Sequence, residues 1–123
     1  MNDRRLELSS EMVADGLGLV AASGYINNEG GQAIADVING LLERGATALL
    51  IDLEGTRIIN SIGVSILLEV LEKLMERNGR LAFCNLTPTI ARTFEIMGLA
   101  EYASIYEDRA AAIEGLARHD HSD

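Results

Sequence analysis

The chain has 123 residues, 48% of them hydrophobic, with one proline and no tryptophan, which fits a single globular domain and excludes a disordered or collagen-like chain. Its 19 acidic and 10 basic side chains give a net charge of -9, which repels nucleic-acid phosphates and anionic lipid surfaces, so neither is an expected partner. Cys84 is the only cysteine, so an internal disulfide and a multi-thiolate zinc site are excluded, and a reducing, cytoplasmic setting is expected.

The opening Met1-Asn2-Asp3-Arg4-Arg5 leads into a segment holding Glu7, Glu11 and Asp15. No apolar run reaches the ~18 residues of a membrane helix, so neither an export signal nor direct membrane insertion is expected. Leu6 and Leu8 alternate with Glu7 and Ser9, which predicts a short edge strand, and a second strand over 17–23 follows the Asp15-Gly16 turn. Ile34, Val37, Ile38, Leu41 and Leu42 form the stripe of an amphipathic helix over 29–44, closed by Gly45. The apolar run from Thr47 to Leu53 is short and bounded by Gly45 and Gly55, as expected of a strand covered on both faces.

Ser61 is read as the N-cap of the next helix, whose buried stripe is Leu67, Val70, Leu71, Leu74 and Met75 and whose stop is Gly79. Arg80 to Asn85 returns as a strand. Thr87-Pro88 is a cap followed by proline at the first helical position, and Ile90, Phe94 and Met97 line one face before Gly98-Leu99 ends that helix. A last strand near 104–106 precedes Asp108, placed to cap a final helix carrying Ile113 and Leu116. The expected order is two strands, then helix, strand, helix, strand, helix, strand, helix: an α/β mixed sheet of four to five strands with about four helices. A single domain over 1–118 and a polar, frayed tail over 119–123 are expected.

Catalytic chemistry is nearly absent. Cys84 sits beside Phe83 inside a strand and reads as a buried structural thiol. His119 and His121 could make at best a loose surface metal site, so no metal is expected. Gly30-Gly31 and Gly16-Leu17-Gly18 lack the lysine and the spacing of phosphate-binding and dinucleotide motifs, so no cofactor is expected and the chain reads as a non-enzyme. The junction Ile58-Ile59-Asn60-Ser61-Ile62-Gly63-Val64 stands out, because a serine there lies beside the free N–H groups of a helix start. That position suits a cap and also tolerates a phosphate, and both readings stay open.

The segment Leu49-Leu50-Ile51-Asp52-Leu53-Glu54-Gly55, followed by Asn60-Ser61-Ile62-Gly63-Val64, resembles the signature of STAS domains of anti-sigma-factor antagonists. Its usual form is a hydrophobic strand ending in Asp-Leu, then Asp-Ser-Ser-Gly-Leu opening a helix. The stretch from Leu86 to Leu99 is similar to another of the family's segments, and the likeness runs from about Leu17 to Leu116. It implies the SpoIIAA-like STAS fold and a protein-interaction role in transcriptional control. It also implies that Ser61 is phosphorylated by a partner anti-sigma factor that is a serine kinase, the unmodified form binding that partner and the modified form letting go. Tyr25, Asn27, Asn28, Asn60, Ser61, Ile62, Gly63 and Val64 are the expected partner surface, with Leu68 extending an apolar patch around Ile62 or packing under a neighbouring loop. Three departures stand out: Asn60 replaces the aspartate before the serine, Ile62 replaces the second serine, and Asn27 replaces an acidic loop residue. The alternative that the two amides favour is an unphosphorylated STAS subunit of a signalling scaffold or lipid-transport complex. A second copy of the chain, as a homodimer, is a further candidate partner.

Overall fold

Along the strand Ala48–Gly55, Leu49, Ile51 and Leu53 belong to one buried cluster, whereas Ala48 and Leu50 belong to another. Successive side chains on a strand point to opposite faces, so this strand is the centre of a sheet covered on both sides. The computed structural model describes residues 6–120, with side chains described through Ala117. Arg5 and the residues before it, and the tail from His121, lie outside the described residues.

In chain order the elements are β1 (Glu7–Ala14), β2 (Leu17–Ser23), α1 (Asn28–Glu43), β3 (Ala48–Gly55), α2 (Ser61–Glu76), β4 (Arg80–Cys84), α3 (Pro88–Ile96), a 3-10 turn (Leu99–Glu101), β5 (Ser104–Tyr106) and α4 (Arg109–Asp120). The five strands lie in the order β1-β2-β3-β4-β5, antiparallel between β1 and β2 and parallel thereafter. Each parallel crossover moves one strand further in the same direction, so a uniform right-handed connection places α1, α2 and α3 on one face. Residues of all three do share the larger core with Val20, Ile51 and Phe83. The chain then returns over the other face, where Ala112 and Leu116 of α4 pack on Leu50, Ala82 and Cys84.

The element order is the one expected from the apolar pattern, and four details differ. β1 runs eight residues instead of forming a short strand, because β2 serves as its template from Glu7↔Ser23 to Met12↔Gly18, with a bulge at Val13. Met75 falls outside the buried stripe of α2 and is 47% exposed, because it points about 100° round the helix from Leu74, which is 1% exposed and turned to the core. The third difference is that α4 continues to Asp120, two residues into the segment expected to fray. The fourth, at the start of α2, concerns the candidate site. No helix among the described residues is long and apolar enough to cross a membrane.

Candidate functional site

Two loops leave the sheet side by side at the carboxyl ends of β2 and β3. Gly24 N donates to Gly55 O, Ile26 N to Ile58 O and Asn60 N to Ile26 O, each at 3.0 Å, and Ile26 and Ile59 form an isolated parallel bridge. Ile26 is fully buried, and the buried Thr56 hydroxyl donates to Ala22 O at 3.2 Å. The loops thus prolong the β2–β3 pairing, and each opens directly into a helix.

Asparagine caps both helices. Asn27 Oδ1 accepts from Gly30 N at 2.9 Å at the start of α1, and Asn60 Oδ1 accepts from Gly63 N at 2.7 Å at the start of α2. Ser61 is therefore the first helical residue, and the N-cap expected there is Asn60 instead. The bridge explains the shift: Asn60 is tied to Ile26 O in extended geometry (φ -87°, ψ 171°), so the helix can begin only after it.

Ser61 is exposed, and among the described hydrogen bonds its carbonyl accepts from the Ser65 hydroxyl while its own hydroxyl makes none. Ile62 and Ile58, at 53% and 54% exposure, flank it. Ile58 was not among the expected surface residues; its place in an apolar connection with no helical or strand period is the signal that could have singled it out. Across the bridge, Asn28 is exposed, and Tyr25 and Asn27 are half-buried beside a hollow of about 380 Å³ shared with Leu8 and Glu29.

Gly63 and Val64 do not belong to this surface. Val64 is fully buried in the larger core, because it lies on the face of α2 turned to the sheet. Gly63 is buried where α2 crosses the loop: a Cβ there would stand 3.0 Å from Ile26 O, and one on Gly31 would stand 3.3 Å from Gly63 Cα. The two helix starts approach this closely only because both positions lack side chains. Leu68 is half-buried against the same core. Of the residues expected to form one surface, Tyr25, Asn27, Asn28, Asn60, Ser61 and Ile62 are brought together.

A polar cluster on the α4 face lay outside sequence reasoning. Asp52, 3% exposed, accepts from Asn85 Nδ2 and Glu54 N, both at 3.0 Å, and pairs with Arg109 of α4. Burial opposes its charge, but the hydrogen bonds from Asn85, Glu54 and Arg109, with the Arg109 charge, outweigh that and hold its pKa below the ordinary 3.8. The neighbouring Cys84 thiol is buried, and burial together with the Asp52 charge pushes its pKa up to about 12. An aspartate interrupting an apolar strand was the signal for this cluster.

The STAS domain model matches residues 12–112. A Bordetella bronchiseptica protein, BtrV, whose name assigns it as an anti-sigma factor antagonist, is 26% identical over 98 residues, 80% of this chain and 84% of that protein. An anti-sigma factor antagonist from Mycobacterium paratuberculosis superposes with a TM-score of 0.78 at 25% identity, covering 91% of this chain and 94% of the other. The anti-sigma factor antagonist SpoIIAA in its unphosphorylated form superposes with a TM-score of 0.72 at 18% identity, covering 94% and 99%. With the mixed five-stranded sheet, the helix opening at Ser61 and a match spanning most of its length, the chain belongs to the STAS domain family.

Proposed function

We propose that this STAS protein is an anti-sigma factor antagonist-like regulator that binds an anti-sigma factor with serine-kinase activity, and that phosphorylation of Ser61 releases it. The observation that carries this reading is the exposed Ser61 hydroxyl at the first position of α2, framed by Ile58, Ile62 and the Asn27–Asn28 loop. Relatives named as anti-sigma factor antagonists support the role, and SpoIIAA is known in a phosphorylated form. A phosphoserine adds a charge of about -1.5 to -2. The helix start stabilises that charge, no acidic residue lies in the first turn of α2, and Asn60 already supplies the cap, so the modification changes the surface and leaves the fold intact.

The test is a pull-down from cell lysate with wild type, Ser61→Asp and Ser61→Ala, with mass spectrometry of the wild-type protein for phosphate. The switch predicts that Ser61→Asp loses the kinase-like partner, that Ser61→Ala keeps it and resists the kinase, and that phosphate appears on Ser61. Equal capture by Ser61→Asp with Ser61 never phosphorylated replaces the switch by a fixed STAS subunit of a signalling or lipid-transport complex. One observation favours that second reading: the family's two carboxylates are amides here, and both amides are engaged in capping their own helices.

A further inference from the structure

The two faces of the sheet are covered unequally. α4 lies over β3, β4 and β5, and Leu17 and Leu19 of β2 are buried in its core, which leaves the outer face of β1 around Glu7 and Glu11 and the end of β2 at Ala21 and Ser23 without a helix. A trough of two adjoining hollows, about 430 and 280 Å³, runs there, and both are lined by Ser9 and Arg109. Its floor is small, with Ser9, Ala21 and Ser23, so it is open to long side chains entering from the β1 side.

Glu7 and Glu11 share this outer face of β1, because Glu7 pairs with Ser23 and Glu11 with Leu19; Glu54 stands across the trough. All three carboxylates are exposed and have no ion-pair partner among the described residues. Among the described residues, the one cation lining the trough, Arg109, is already paired with Asp52, so their carboxylates there outnumber their cations. Among the described residues β1 also ends the sheet: it pairs with β2 on one side, and alternate residues turn their N–H and C=O groups outward along an eight-residue edge.

We propose that β1 docks an extended basic segment of a partner protein, added antiparallel or parallel beyond the edge, with Lys or Arg at alternate positions. Main-chain hydrogen bonds to the free edge supply the pairing. The outward-facing cations reach over Ser9 toward Glu7, Glu11 and Glu54, since alternate positions of the added strand share the face that carries Glu7 and Glu11, four residues apart on β1. A second copy of this chain is the wrong occupant. Antiparallel self-pairing about Ser9 sets Glu7 of one copy opposite Glu11 of the other, and each copy carries -9. This surface is separate from Ser61, so it does not depend on the switch.

The experiment adds a fluorescein-labelled peptide of alternating lysine and valine to the full chain and follows fluorescence anisotropy, with amide-proton exchange to locate the contact. Expected are binding that weakens as salt rises, new protection of β1 amides, no binding of the glutamate–valine counterpart, and affinity unchanged in Ser61→Asp. Glu7→Lys/Glu11→Lys, at two exposed positions, turns attraction into repulsion and weakens binding by about tenfold or more. A thermal melt checks that this variant is folded; should it not be, Glu54→Lys alone must weaken the peptide. Undiminished binding to the reversed variants, or protection confined to other elements, overturns the proposal. So does a dimer by light scattering whose β1 amides are already protected, which would make a second copy the occupant.

Discussion

Arg109 Nε donates to Oδ2 of Asp52 at 3.0 Å and Nη2 forms an ion pair with the same oxygen at 2.9 Å, joining the first turn of α4 to the centre of the sheet across 57 residues of chain. The aspartate is buried and the arginine is 45% exposed, so the pair lies at the mouth of the outer core. Removing the carboxylate leaves an arginine that water can still solvate, whereas Asn85 Nδ2 and Glu54 N lose a charged acceptor. Asp52→Asn is expected to cost about 1–3 kcal/mol at neutral pH, read as a lower urea midpoint.

The pH dependence of that loss has a defined sign. The native pKa of Asp52 lies below 3.8, so its ionised form stabilises the fold above the ordinary carboxylate range, and that contribution disappears as pH falls through 3.8 toward the lowered native value. The gap in urea midpoint between wild type and Asp52→Asn should hold steady from neutrality to about pH 5 and narrow below about pH 4. A gap that widened on acidification would contradict the assignment of Asp52 as the ionised partner.

Asn60→Ala should cost about 1 kcal/mol through loss of the α2 cap, and Asn60→Asp should be neutral or slightly stabilising because a carboxylate also caps and favours the helix dipole. Ser61→Ala, by contrast, removes no capping bond and should leave the thermal midpoint within about a degree or two of wild type. These three melts separate the cap from the residue beside it.

Leu71 is 2% exposed in the middle of α2, and Met75 is 47% exposed one turn later. Leu71→Ala is expected to destabilise by about 2–5 kcal/mol through the cavity it leaves, and Met75→Ala by less than about 0.5 kcal/mol. Urea titrations of the two variants measure where the buried stripe ends.

The Cys84 thiol, buried and pushed up to about 12, should not react with a disulfide reagent at neutral pH while the protein is folded. Full reaction is expected in denaturing urea. Rapid native labelling would place Cys84 at the surface instead of beneath α4.

Signals that act over a few residues were readable from the chain alone. Thr87 and Pro88 mark the start of α3 because the cap, here Thr87 Oγ1 accepting from Ile90 N, needs nothing beyond three residues. The strand Leu17–Ser23 and the apolar run around Leu50 were legible for the same reason. At Asn60-Ser61 two good caps stand side by side and local chemistry cannot rank them; the Ile26–Ile59 bridge, formed by segments thirty-odd residues apart, decides. Val64 was expected to extend the apolar patch beside Ile62, two residues before it, and only the direction in which α2 packs buries it. Asp52 and Arg109 needed the sheet and α4 to exist before they could be neighbours.

The strands lie across the sheet in the order in which they are made. No strand has to be threaded between two that are already paired, so the sheet can grow as the chain leaves the ribosome, from the β1–β2 hairpin outward at one open edge, each helix arriving with the strand that follows it. α4 emerges after all five strands and, among the described elements, alone shields the second face. Until Arg109 reaches Asp52, the nascent protein carries a finished inner core and a bare outer one, and that interval is when a chaperone would have most to hold.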